Sequence, residues 1–80
     1  MTHERLATML YEEGYLSAIF VDGKLGQIEV LKGMVEVLDN FGLRIDDKYP
    51  GLEVRVIAFK YLKDSGIIKS DGNGKFYYEP

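Results

Sequence analysis

The clearest structural signal in this 80-residue chain is AFKYLKDSGIIKSDGNGKFYY (residues 58–78). Apolar residues first recur at the three- and four-residue spacing of a helical face. Gly66 then ends the predicted helix, because glycine adopts the left-handed backbone that closes many helices. The turn-forming DGNG (residues 71–74) separates two short runs at residues 67–70 and 75–78. The stretch therefore predicts a helix followed directly by a two-stranded antiparallel hairpin.

The start of this helix is ambiguous in the sequence. Residues 52–56 (LEVRV) alternate apolar and polar side chains like a strand, whereas residues 53–65 carry one apolar helical face. We favour a helix over 53–65, and a strand remains the alternative for residues 52–58. Arg55 falls inside the apolar arc of the helical wheel, so we expect its guanidinium to reach solvent from the first turn.

Two further helices are predicted upstream, and each is followed by a glycine. Leu6, Met9 and Leu10 form one face of a helix over residues 2–13. Residues 27–41 separate into an apolar and a polar half when they are placed on a helical wheel. The apolar half contains Ile28, Val30, Leu31, Met34, Val35, Val37, Leu38 and Phe41.

The connections between these helices are less regular. Residues 15–21 have apolar side chains at both odd and even positions, which predicts a short strand buried on both faces. Asp22-Gly23 predicts a turn, and a competing hairpin across it would make residues 24–30 a strand. Residues 43–51 contain a Pro-Gly pair and several charges, which indicates a loop.

The predicted order of helix, short strand, helix, helix and two-stranded hairpin resembles the winged-helix family. Leu62, Gly66, Ile67 and Ile68 match the Leu-x-x-x-Gly-(Leu/Ile)-Ile signature that ends the family's recognition helix. The glycine-rich and aromatic residues 71–78 are similar to the family's wing. The resemblance implies a small α+β winged-helix-like domain. It also implies binding, since members of the family bind DNA as transcriptional regulators or use the scaffold to bind proteins.

Composition agrees with a single globular domain over residues 1–80. The apolar share of 46% is too high for a disordered chain, and 80 residues are too few for two independent cores. The chain has no cysteine, which excludes disulfides, thiolate metal ligands and a cysteine nucleophile. Its longest apolar runs, at 18–21 and 56–59, are far shorter than a membrane span, and its first residues do not resemble a signal peptide. We expect a cytoplasmic protein without membrane association.

Few residues favour catalysis. His3 is the one histidine, and no serine or carboxylate stands at a spacing that would indicate an activated nucleophile. The acidic pairs 12–13 and 46–47 are adjacent in sequence, so their side chains diverge instead of converging on a substrate. The loop at 71–76 lacks the ligands of a calcium site. We expect no enzymatic activity, no catalytic residues, no metal, no cofactor and no small-molecule substrate.

The charge distribution favours the second half of the chain for any contact with a polyanion. Residues 1–40 carry three basic and seven acidic side chains, whereas residues 41–80 have a net charge of +1 within a total of −3. Glu53 and Asp64 flank Lys60 on the helical wheel and would repel phosphates. The possible nucleic-acid-binding residues are Arg55, Lys60, Lys63, Lys69 and Lys75, on the helix and the wing.

Apolar residues on the same helix favour a protein partner. DNA-binding winged helices display hydrogen-bond donors on the first half of the recognition helix, where this chain has Val56 and Ile57. One or both should be partly exposed, which is typical of a contact with another chain. The leading hypothesis is a regulatory or adaptor module that binds a protein partner or a second copy of itself. Its partner-binding residues would be Val56, Ile57, Lys60 and Tyr77, and DNA binding is the alternative.

Overall fold

The computed structural model describes residues 2–43 and 50–80 and shows a small α+β domain. Part of the predicted loop at 43–51 lies outside the described residues. The elements are α1 (His3–Glu12), α2 (Leu16–Ile19), α3 (Gln27–Asn40), α4 (Leu52–Asp64), β1 (Lys69–Ser70) and β2 (Phe76–Tyr77).

Local hydrogen bonds explain where α1 and α3 begin. The Thr2 hydroxyl accepts from the Arg5 amide at 3.2 Å, and the Glu29 carboxylate accepts from the Gly26 amide at 3.2 Å. Each bond satisfies a backbone donor near the start of its helix, and such caps are worth about 1 kcal/mol. Both predicted helices are confirmed to within one residue at each end.

The predicted strand at residues 15–21 is wrong, because this segment contains the single-turn helix α2. Leu16, Ile19 and Phe20 are buried while the residues between them are exposed, which is helical spacing. The extended residue that pairs with the hairpin comes later, at Leu25. Its amide and carbonyl exchange hydrogen bonds of 2.8 and 2.7 Å with Phe76. The competing strand over 24–30 is also wrong, since α3 begins at Gln27.

The ambiguous segment at 52–58 is helical, so the strand alternative is wrong. The predicted position of the Arg55 head is wrong as well. Arg55 Nη1 donates to the carbonyl oxygen of Leu31 at 2.9 Å, and Nε donates to that of Pro50 at 3.2 Å. The guanidinium is partly buried between α3 and the residues before α4. It satisfies two carbonyl groups there instead of escaping to solvent.

The core forms where α1 and α3 pack on α4 and α2 packs on α3. Phe59 contacts Phe76 edge to face, with ring centroids 4.9 Å apart, and this contact attaches the hairpin to the helices. Phe76 of β2 and Tyr78, which follows it, pack against the core. The fully buried large side chains are Phe59, Leu6, Leu10, Leu16, Met34, Leu38, Leu62, Ile68 and Val30.

Three residues of the predicted apolar half of the helix at 27–41 lie outside this core, namely Ile28, Val35 and Phe41. Ile28 is 69% exposed and Phe41 is 55% exposed. The wheel identifies the apolar side of a helix, but the neighbouring elements decide how much of it they cover. Here they leave both ends of α3 uncovered.

The hairpin has the predicted order, with strands of two residues each. Lys69 pairs with Tyr77 and Ser70 with Phe76 in an antiparallel register. No helix in residues 2–43 and 50–80 is long and apolar enough to cross a bilayer.

Candidate functional site

The outer face of α4 combines apolar and charged side chains. Ile57 is 39% exposed and Tyr61 is 57% exposed, four residues apart on the same side of the helix. Lys60 and Asp64 lie beside them and are exposed. Exposure at Ile57 confirms the prediction that one of the two apolar residues would reach solvent, whereas Val56 is half-buried against the core.

A shallow groove of about 330 Å³ lies between α1 and α4, and we call it the α1–α4 groove. It exists because α1 packs on the buried side of α4 and brings its own exposed residues up to the edge of the outer face. Its lining residues are His3, Glu4, Thr8, Ile57, Lys60, Tyr61 and Asp64.

Charges of both signs surround the apolar centre of this groove. His3 Nε2 lies 2.9 Å from Glu4 Oε1 on the α1 side. Lys60 and Asp64 lie one helical turn apart on α4, and neither has an ion-pair partner among the residues that the structure describes. The groove therefore offers exposed charges of opposite sign next to Ile57.

Tyr77 does not belong to this groove. It is half-buried on β2, and Lys24 Nζ lies 5.9 Å from the centre of its ring. Lys24 also binds the Asp71 carboxylate at 3.4 Å. Of the four predicted partner-binding residues, the structure brings together Ile57 and Lys60, with Val56 partly covered and Tyr77 on the hairpin beside Lys24.

Most of the predicted nucleic-acid-binding residues already have intramolecular contacts. The Arg55 guanidinium is bound to backbone carbonyls, as described above. Lys69 lies 3.7 Å from Glu79, and Lys75 lies 3.5 Å from Glu29. Lys63 Nζ lies 5.9 Å from the ring centre of Phe59. Lys60 is the candidate without such a contact in the described ranges.

The loop between the two strands directs its backbone amides inward. Asp71 Oδ1 accepts from the amides of Asn73 at 2.8 Å and Lys75 at 3.2 Å. The Asn73 bond contributes most to lowering the pKa of the Asp71 carboxyl, and the Lys75 amide and Lys24 lower it further. Because these amides already bind a carboxylate, they are not arranged to hold a phosphate of a ligand.

No protein-family model, curated protein or solved structure matches the chain. In residues 2–43 and 50–80, no group of three or more histidine, aspartate or glutamate side chains is placed to hold a metal ion. A functional interpretation therefore depends on the surfaces that the chain exposes.

Two of the seven residues that line the α1–α4 groove, Ile57 and Lys60, were among the predicted partner-binding residues. The four-residue spacing of Ile57 and Tyr61 was a signal that could have found Tyr61. His3 and Thr8 belong to α1, and their place in the groove depends on how α1 packs against α4. No local pattern carries that information.

Proposed function

We propose that this chain is a non-enzymatic, winged-helix-like module that acts through protein–protein contact, and that it pairs with a second copy of itself through the α1–α4 groove. The observation that carries this proposal is that Ile57 and Tyr61 are exposed beside Lys60 and Asp64, which have no ion-pair partner in residues 2–43 and 50–80.

The order of elements supports the winged-helix likeness. A hairpin directly follows α4, and the Leu25–Phe76 bridge adds a third extended segment to it. The amides of Ile67 and Ile68 both donate to the Leu62 carbonyl, at 3.0 and 3.1 Å, so the signature residues form the link between helix and hairpin.

The rim charges favour a second copy as the partner. A two-fold axis places the same patch on both sides of an interface, so each patch must complement itself. A patch with one cation, Lys60, and one anion, Asp64, meets that condition when each Lys60 faces the other copy's Asp64. Both pairs would form beside the apolar contact of Ile57 and Tyr61.

The small apolar area predicts a weak dimer. Stable interfaces bury about 800 Å² on each partner, whereas the exposed apolar part of this groove comes from two side chains. We expect a dissociation constant in the micromolar range, about 8 kcal/mol of binding free energy.

Sedimentation equilibrium over a range of concentrations tests the proposal. The wild-type chain should show a monomer–dimer equilibrium, and Ile57→Asp with Tyr61→Asp should be monomeric because two buried carboxylates oppose association. Val21→Asp with Ile28→Asp is the matched control, since it adds the same two carboxylates at apolar residues that are 74% and 69% exposed outside this groove. Circular dichroism verifies that each variant folds. A wild-type chain that stays monomeric up to about millimolar concentration, where even weak dimers form, would refute the proposal.

DNA binding is the second candidate function, and exposed lysines favour it. Lys69 and Lys75 are about half exposed, and their surface ion pairs are weak enough for phosphates to compete with them. In this interpretation Lys60 and Lys63 contact the duplex from α4 and the hairpin lysines contact its backbone. Lys60→Ala with Lys75→Ala should then weaken duplex binding and reduce its salt dependence. A duplex titration that shows no salt-dependent binding would exclude this function.

A further inference from the structure

A second groove lies between α2 and α3, away from the outer face of α4, and we call it the α2–α3 groove. Its volume is about 340 Å³. Ile19, Leu25 and Val37 line its inner part, and Val21 and Phe41 stand at its edges. Val21 is 74% exposed and Phe41 is 55% exposed. Exposed apolar residues around a groove are typical of a surface that contacts another molecule.

Gly33 shapes this groove from the α3 side. A Cβ atom at position 33 would lie 3.0 Å from Ile19 Cγ2, closer than side chains normally approach. Glycine therefore allows α2 to pack directly on the backbone of α3. Gly33 itself is half-buried and belongs to the groove lining. The absence of a side chain there keeps the groove open although glycine is unfavourable inside a helix.

The rim of the α2–α3 groove is acidic. Asp22, Glu29 and Glu36 line it together with a single cation, Lys32. Glu29 already binds the Gly26 amide and Lys75. Asp22 and Glu36 have no ion-pair partner in the described part of the chain, so their charges are available to a ligand.

We propose that the α2–α3 groove binds a basic segment of another protein that carries bulky apolar side chains. The apolar residues would contact Val21 and Phe41, and lysine or arginine side chains would face Asp22 and Glu36. Opposite charges across a contact give specificity and accelerate encounter. A second copy of this chain fits less well, because its net charge of −3 repels the acidic rim. This proposal does not depend on dimerisation through the α1–α4 groove.

The test uses designed peptides of about 15 residues, a length that allows an amphipathic helix. The first peptide has leucines at helical spacing and lysines elsewhere. The second replaces every lysine with glutamate, and the third replaces every leucine with serine. Titrated into the isotopically labelled domain, the first peptide should shift amide signals of residues 18–22 and 29–41. The other two should bind at least about tenfold more weakly, because each lacks one of the two contacts.

Paired variants locate the contact. Val21→Ser, which removes only the apolar contact, and separately Asp22→Lys with Glu36→Lys, which reverses the charge, should each weaken binding of the leucine–lysine peptide about tenfold. The charge-reversed variant should also gain affinity for the leucine–glutamate peptide. Glu12→Lys with Glu13→Lys is the matched control, since it changes the net charge equally and leaves the groove intact.

Three results would overturn the proposal. The leucine–lysine peptide could fail to bind, its shifts could lie outside the α2–α3 groove, or the control pair could weaken binding as much as the groove pair. The last result would indicate attraction by net charge alone. Ile57→Asp with Tyr61→Asp should leave peptide binding unchanged. Loss of dimerisation and loss of peptide binding are thus measured by different variants, so each proposal fails separately.

Discussion

The α1–α4 groove and the α2–α3 groove have similar volumes and differ in the charge around them. Each has two exposed apolar side chains, Ile57 with Tyr61 in one and Val21 with Phe41 in the other. The first rim carries exposed charges of both signs, whereas carboxylates dominate the second. Apolar area of this size makes contact favourable without selecting a partner. The charges make the selection, which gives a self-complementary surface in one place and a surface for cations in the other.

The largest expected effect is loss of the folded state, which would remove both grooves at once. Phe59 is 2% exposed and contacts Phe76, so Phe59→Ala leaves a cavity between α4 and the hairpin. We expect a loss of about 3–5 kcal/mol in the free energy of unfolding, comparable with the whole stability of a small domain. Thermal denaturation followed by circular dichroism measures it. Ile28→Ala, at a 69% exposed apolar residue, is the control and should change the stability little.

A smaller loss of stability is expected on substituting Arg55, whose guanidinium connects α3 with the residues before α4. Arg55→Met removes the bonds to the carbonyls of Leu31 and Pro50 and keeps most of the apolar stem. We expect a loss of about 1–3 kcal/mol in chemical denaturation. Unchanged stability would show that these bonds contribute little, so that the Arg55 guanidinium could bind a phosphate instead.

Gly33→Val distinguishes the two grooves, because it should affect peptide binding and leave dimerisation unchanged. The added side chain collides with Ile19, where a Cβ alone would lie at 3.0 Å, and strain of this kind costs about 1–3 kcal/mol. It also fills the α2–α3 groove. We expect lower stability and weaker binding of the leucine–lysine peptide, with the dimerisation constant unchanged in sedimentation. Adding Ile19→Ala should recover part of the lost stability, and no recovery would show that the collision is not the cause.

Reversing the charges of Lys60 and Asp64 tests whether these two residues face each other in the proposed dimer. In the proposed dimer, Lys60→Glu places two carboxylates together, and Asp64→Lys places two ammonium groups together. Each variant alone should dimerise about tenfold more weakly, while an equimolar mixture should form a heterodimer because the opposite charges face each other again. Native mass spectrometry of the mixture distinguishes the heterodimer by mass. Equal dimerisation of both single variants would remove this pair from the interface.

The smallest effect concerns the hairpin loop, which belongs to neither groove. The folded state lowers the Asp71 pKa, so the ionised carboxylate stabilises the fold above the ordinary carboxyl pKa of about 4. That stabilisation is lost as the pH falls through the lowered pKa. Asp71→Asn should therefore be less stable than the wild type at neutral pH, and the difference should shrink below about pH 4. Melting curves over this range test the sign, and a difference that grows on acidification would contradict it.

Local signals explain why much of the fold was predictable. The three long helices end before glycines, and their apolar residues recur with the helical period. Side chains that satisfy backbone amides mark the starts of α1 and α3. The turn at 71–74 is also specified locally. The Asp71 carboxylate accepts from the Asn73 amide, and Gly72 and Gly74 adopt positive φ angles. The prediction for residues 15–21 was wrong because a short apolar run fits either a strand or one helical turn. Packing of this segment on α3 favours the helix.

The sequence of this chain was sufficient for α1, α3, the end of α4 and the hairpin, because these depend on neighbours a few residues apart. Tertiary packing alone decided that α2 is a helix, that Leu25 pairs with Phe76 and that Arg55 binds backbone carbonyls. It also assembled both grooves, each from residues of separate elements. Contacts between distant parts of the chain depend on which faces meet, and no local pattern records that choice.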